Sequence, residues 1–206
     1  MAVAPRVGLL GGSFDPVHKA HIALALAAIQ ALSLDQVQLL PAGQPWQKPA
    51  LGATAQHRLA MLLLACRHHP QLAVNPAELH RAGVTYTIDT LLALPDTARY
   101  TWIMGADQLL NFCSWHRWRD IIQHARLAVA QRPGSALRIP PALQAVLPAD
   151  GLVRLPFPPQ DIAATAIRQA LRQGQTQIPA LDPAVLDYIR THGLYQAPAN
   201  PTPRTP

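Results

Sequence analysis

His18 and His21 stand three residues apart, close behind a glycine pair, in the run Gly11-Gly12-Ser13-Phe14-Asp15-Pro16-Val17-His18-Lys19-Ala20-His21. In the first turn of a helix that spacing puts both imidazoles on one face, about 4.5 Å apart along the axis. Two imidazole donors beside the positive end of a helix make a pocket suited to polyphosphate. The glycines permit a tight turn and close approach of a ligand to the backbone. Pro16 suits a helix entrance, where a missing N–H is no loss. Two surface histidines are one alternative for a bare H-x-x-H, and a zinc pair is another. Zinc ligands on one helical face more often stand four apart, however, and no Cys/His cluster completes a site.

The elements around this run are those that aim backbone N–H groups at a phosphate. A short apolar segment, residues 7–10, precedes the glycines, and an Ala/Leu-rich segment from Ile22 to Leu32 follows them. Strand, glycine turn and helix is the expected order. Further along, apolar runs at 36–40, 71–74, 100–104, 127–130 and 152–155 alternate with helix-like segments. The helices are predicted at 19–32, from an N-cap at Thr54 through 67, and at 87–94, 118–124, 142–146, 165–172 and 183–190. Such alternation predicts an α/β protein with a parallel sheet flanked by helices. In such a sheet ligands bind beyond the carboxyl ends of the strands, where strand order reverses. The segments to watch are therefore the glycine run, residues 41–48 after the second strand, Gly105-Ala106-Asp107, and the late helix start Asp161-Ile162-Ala163-Ala164-Thr165-Ala166-Ile167-Arg168.

Composition narrows the partners. The chain has 206 residues, half of them apolar, enough for one substantial core. No apolar run is long enough to cross a bilayer, and the N-terminus runs straight into the first strand, so a cytoplasmic protein without membrane contact is expected. The net charge of +6 comes almost entirely from arginine. It has no Lys/Arg run and no interleaved aromatics, which favours small anionic ligands such as nucleotides over nucleic acid. Cys66 and Cys113 are isolated and read as reduced thiols. Residues 1–196 are expected to form one domain and residues 197–206, rich in Pro and Thr, a disordered tail.

Taken whole, the glycine–histidine run resembles the signature of the nucleotidyltransferase superfamily, G-G-[ST]-F-D-P-x-H-x-G-H, with Ala20 where glycine is common. The segment Glu78-Leu79-His80-Arg81-Ala82-Gly83-Val84-Thr85-Tyr86-Thr87-Ile88-Asp89-Thr90-Leu91 resembles E-x-x-R-x-G-x-S-Y-T-x-D-T-L of bacterial nicotinate-nucleotide adenylyltransferases. Ile103-Met104-Gly105-Ala106-Asp107, then Trp115 and Trp118, and then Arg132-Pro133-Gly134 extend that likeness over nearly the whole chain. The resemblance implies a Rossmann-like nucleotide-binding fold and adenylyl transfer from ATP to nicotinate mononucleotide, with Mg2+ held mainly by the ATP phosphates.

By that resemblance His18, His21 and Arg168 act on the ATP phosphates, and Gly11, Gly12, Ser13 and Phe14 offer backbone to them. Lys48, Arg132 and Thr165 also serve ATP, Gly105 and Asp107 meet its adenosine end, and Thr87 and Trp115 frame the nicotinate. No protein-bound metal site and no nucleic-acid partner is implied, and a homo-oligomer stays open. Read without it, Trp102 and Trp118 are core residues, Asp89 and Asp107 helix caps, and Arg58 and Arg81 surface or structural charges. Two departures stand out: Ala163 where relatives place a phosphate-binding serine, and Trp46-Gln47 where they often have Pro-His. A nicotinamide acceptor, another phosphorylated acceptor, or a nucleotide-binding protein without catalysis are the competing readings.

Overall fold

The computed structural model describes residues 4–45, 51–131, 136–158 and 160–196. In chain order the first half contains β1 (Arg6–Gly12), α1 (Lys19–Leu32), β2 (Gln36–Pro41), β3 (Gln44–Pro45), α2 (Ala55–Cys66), β4 (Leu72–Val74), β5 (Val84–Thr85) and α3 (Thr87–Leu92). The second half contains β6 (Arg99–Gly105), α4 (Ala106–Leu110), α5 (Trp118–His124), β7 (Ala125–Gln131), α6 (Pro141–Gln144), β8 (Leu152–Pro156), α7 (Ala164–Arg172) and α8 (Pro183–Thr191).

Six of the strands form one sheet in the order β4-β2-β1-β6-β7-β8, and every pairing is parallel. This is the doubly wound Rossmann-like order, with its switch point between β1 and β6. Alternation along each strand sends side chains to two cores. Leu10, Leu39 and Ile103 join the core under α1, α2, α7 and α8. Leu9, Leu40 and Trp102 join the other, with Ile88, Leu109 and Ile121. Cys66 lies buried in the first core, where burial pushes its thiol up to about 11, and Cys113 is half-buried; both are free.

α1 begins and ends where the sequence places it. Its Ala/Leu-rich interior has high helix propensity, and Ser33 closes it in the left-handed region at φ 50°. Thr54 caps α2 as expected, its hydroxyl accepting from His57 N. The sheet strands run a residue or two beyond several of the predicted apolar runs, because end residues such as Arg6, Gly12 and Pro41 pair through backbone whatever their side chains. Pro16 is a correction. It does not open α1 but lies two residues before the N-cap His18, in a turn whose Asp15–Pro16 bond is cis.

Three features have no counterpart in the sequence reading. β3 and β5 pair as a separate two-stranded sheet, α4 follows β6 directly, and short 3-10 segments occupy Ala77–His80 and Phe112–Ser114. Among the described residues no helix is long and apolar enough to cross a membrane. The expected tail, residues 197–206, lies outside the described residues.

Candidate active site

At the switch point the ends of β1 and β6 open into a cleft of about 360 Å³. Gly11, Gly12, Ser13 and His21 line it, and Gly105 lies at the end of β6. Tyr86, Trp102, Trp115 and His116 form an aromatic wall of the same cleft, with Thr87 lining it beside them. Of the predicted phosphate residues, Gly11, Gly12, Ser13 and His21 thus share one crevice with Thr87 and Trp115, whereas Phe14, His18 and Arg168 do not line it. Its glycines differ in purpose. A Cβ on Gly11 would come within 2.9 Å of the Trp102 ring, and one on Gly12 within 3.0 Å of the Phe14 ring. At Gly105 a Cβ would meet no protein atom within 4 Å, so the space beside it is open for a ligand.

The histidine pair is built by the start of α1. His18 is the N-cap in extended conformation, and its backbone N–H donates to His21 Nδ1 at 3.2 Å. With Nδ1 accepting, the neutral His21 ring carries its proton on Nε2. The two rings stack at 3.7 Å between centroids, and the Phe14 ring meets His21 edge-on at 4.9 Å. His18 is only 7% exposed, and its Nδ1 has no hydrogen-bond partner among the described residues. Burial lowers its pKa to about 4, so the ring is neutral at physiological pH. It lines a smaller cavity of about 280 Å³, together with Val17, Ile22, His69 and Val185, and not the main cleft.

Beneath the glycine turn lies a network that sequence reasoning did not find. Phe14 is buried and sits at φ 47°, which bends the loop and turns Asp15 inward. Asp15, 3% exposed, accepts from Gly52 N at 2.7 Å, Ala53 N at 3.0 Å and the Tyr195 hydroxyl at 2.7 Å. Arg168 Nη1 donates to the Asp15 backbone carbonyl at 2.7 Å and stands 3.8 Å from Asp15 Oδ2. Arg58, 1% exposed, donates to the carbonyls of Ser13 at 2.9 Å and Gly43 at 3.4 Å. Arg58 is therefore a structural charge and not a surface one. Arg168 thus reaches the underside of the loop from α7, although it does not line the cleft.

The aromatic wall is assembled by α3 and the segment before α5. Thr87 is the first residue of α3, held close to the core by Ile88 and Leu91. Trp115 packs against Trp102 and Phe112, at ring centroid distances of 6.2 and 5.3 Å, and its buried Nε1 has no partner among the described residues. The His116 ring lies 4.4 Å from that of Tyr86. Glu78 is buried at the edge of the cleft and accepts from the Thr90 hydroxyl at 2.8 Å. Burial pushes its carboxyl up, against the Thr90 hydrogen bond and the Arg81 charge. Arg81 in turn donates to Thr90 Oγ1 and the Asp89 carbonyl, both at 3.3 Å. Trp118 is buried in the core, with Arg119 over its ring at 4.4 Å.

Other expected site residues lie elsewhere. Asp107 is exposed in the first turn of α4, and Thr165 is exposed near the start of α7; neither lines the cleft. Ala163 is the N-cap of α7 and supplies no side-chain cap. Lys48 and Arg132 fall outside the described residues, as do Trp46 and Gln47. Among the described residues no group of three or more His, Cys, Asp or Glu side chains is placed to hold a metal ion.

Comparison with known proteins adds the lineage. The cytidylyltransferase-like family model matches residues 9–170. A protein of Bordetella avium named probable nicotinate-nucleotide adenylyltransferase is 55% identical over 193 residues, covering 93% of this chain and 98% of its own. The chain belongs to the nicotinate-nucleotide adenylyltransferases. A family relative so named in Laribacter hongkongensis is 46% identical, with 96% of this chain and 98% of its own length aligned. Among solved structures, Plasmodium falciparum nicotinic acid mononucleotide adenylyltransferase complexed with NaAD has a TM-score of 0.72, covering 93% of this chain and 97% of that one. At 18% identity that likeness speaks to the fold, and it is the fold found here.

Proposed function

We propose that the protein transfers the adenylyl group of ATP to nicotinate mononucleotide, releasing pyrophosphate and forming deamido-NAD. The observation that carries this reading is one cleft lined both by Gly11, Gly12, Ser13 and His21 of the phosphate loop and by Thr87 and Trp115. The phosphate of the mononucleotide attacks the α-phosphorus of ATP in line, and the bond to pyrophosphate breaks. A phosphate monoester with a second pKa of about 6 is already largely dianionic at neutral pH. No strong general base is needed, and positioning with charge neutralisation supplies the rate.

Each residue then has a definite task. Backbone of Gly11, Gly12, Ser13 and Phe14 cradles phosphate, as the turn before a helix does. His21 donates from Nε2, its Nδ1 being taken by the His18 N–H, and neutral His18, stacked on it from the neighbouring cavity, adds a second donor where charge builds on the leaving oxygens. Arg168 engages the β/γ-phosphates with a fork that lysine lacks. Thr165 and the N-terminus of α7 serve ATP from outside the cleft lining, and the family likeness gives Lys48 and Arg132, which lie outside the described residues, the same task. Gly105 takes its adenosine end at the cleft, and Asp107 serves it from the exposed first turn of α4. Thr87 and Trp115 hold the pyridine ring by stacking and N–H donation.

Mg2+ belongs to this scheme as part of the substrate, MgATP. The carboxylate nearest the loop, Asp15, is already engaged by Gly52, Ala53 and Tyr195, so the metal rests on phosphate oxygens. The test is pyrophosphate release from MgATP with nicotinate mononucleotide, run beside its amide and phosphopantetheine. Release with the acid far above both others is expected. No release with any acceptor, despite ATP binding, would overturn the reading.

A further inference from the structure

Tyr195 takes no part in the chemistry above, yet the chain holds it in a strained place. It sits at φ 63°, in the left-handed region where a bulky residue is an outlier, and it is buried. Such strain persists only where the surroundings fix it. What fixes Tyr195 is its hydroxyl, 2.7 Å from Asp15 Oδ1 and 180 residues away in sequence. Burial holds the phenol far above its usual range, so it remains a donor.

We propose that Tyr195 is a positioning residue for ATP, occupying Asp15 so that Arg168 remains available to the phosphates. The proposal rests on the adenylyl-transfer reading above. Two cations flank one carboxylate here. Arg58 is committed through its two Nη groups, which donate to the Ser13 and Gly43 carbonyls, while its buried Nε has no partner among the described residues. Arg168 has a choice. It holds the Asp15 backbone carbonyl, but at 3.8 Å from Oδ2 it makes no hydrogen bond to the carboxylate. The carboxylate leaves that gap open because Gly52 N serves Oδ2, while Ala53 N and Tyr195 OH serve Oδ1. Remove the hydroxyl and Oδ1 keeps one donor. The less satisfied carboxylate then draws the guanidinium into a closed ion pair, which phosphate must break before it can bind. Gly52 seals the arrangement, since a Cβ there would lie 2.9 Å from the Tyr195 ring and 3.3 Å from Arg168 Cδ.

The experiment is Tyr195→Phe, with MgATP affinity measured by calorimetry and steady-state constants for both substrates. ATP affinity is expected to weaken, and KM for ATP to rise, by about tenfold, the size of one hydrogen bond to a charged group. KM for the mononucleotide should hold. In an Asp15→Asn background, where the pull on Arg168 is gone, Tyr195→Phe should have no further effect on ATP affinity. A lower Tm with unchanged ATP affinity would overturn the proposal, leaving Tyr195 a packing residue. If Tyr195→Phe does not fold, Gly52→Ala displaces the same ring, and unchanged ATP affinity there overturns it equally. Calorimetry decides this point even if wild-type protein releases no pyrophosphate, an outcome that would count against the adenylyl-transfer reading alone.

Discussion

The underside of the phosphate loop and the aromatic wall of the cleft are finished to different degrees. Beneath the loop, Asp15 meets two backbone amides and a phenol, and Arg58 donates from both Nη groups to two carbonyls, with only its buried Nε left without a partner among the described residues. On the wall, the Trp115 indole N–H is buried without a partner among the described residues, and the Thr87 segment edges an open cavity. A loop that must present the same amides to every ATP gains from being fixed beforehand by the protein itself. A wall that meets its ring only when substrate arrives gains from a donor left unspent. His18 stands between the two regimes, its backbone tied to His21 and its buried Nδ1 unmatched.

At His18 the contrast breaks in the rate. His18→Ala is expected to remove about 2–4 kcal/mol of transition-state stabilisation, by analogy with a lost oxyanion donor. Turnover for pyrophosphate release measures it, with circular dichroism to show that the fold is retained; unchanged turnover would take His18 out of the mechanism. At Asp15 the effect moves from rate to stability. Asp15→Ala removes the acceptor of Gly52 N, Ala53 N and the Tyr195 hydroxyl and the buried carboxylate 3.8 Å from Arg168, and a loss of about 3–5 kcal/mol in urea unfolding is expected, as when one partner of a buried charge network is removed. A loss below about 1 kcal/mol, the scale of an exposed pair, would mean that the underside is not a prestressed anchor.

A third effect is set by pH. The native state holds His18 at about 4 by burial, whereas the unfolded chain holds it near 6.5. Between those values the unfolded state binds more protons, so stability is complete above pH 6.5 and falls as pH drops toward 4, by about 3 kcal/mol in all. The difference in unfolding free energy between wild type and His18→Gln, followed from pH 7 to 4, isolates that slope. A flat difference would show that His18 is not desolvated. The smallest effect is expected on the wall. Trp115→Phe keeps a stacking ring but loses the N–H, and should raise KM for the mononucleotide by about tenfold at most, one hydrogen bond, with KM for ATP unchanged. No change would leave Trp115 a stacking surface only.

How much of this could be read in advance follows from how local each signal is. α1, the Thr54 cap and the sheet strands each rest on neighbours in sequence, and they stand within a residue or two of where the residues place them. The turn does not: Gly11 and Gly12 pair as the last residues of β1, and the chain turns at Asp15–Pro16. Arg58 was open between surface and structure, because its role depends on carbonyls of Ser13 and Gly43 that only the folded loop turns toward it. β3 and β5 have two residues each, too few for any alternation to register. Asp15 is in plain view within the glycine run, but its partners are not. No rule of spacing connects it to Gly52 or Tyr195.

That last separation also governs when Asp15 can be fully held. A ribosome adds about 5–20 residues each second, so Tyr195 is made roughly ten to thirty-five seconds after Asp15, given the 180 positions between them. For that interval the nascent chain carries Asp15 but lacks one of the donors that hold it. Only when Tyr195 has been made and folded in does the carboxylate gain its third donor, after Gly52 N and Ala53 N.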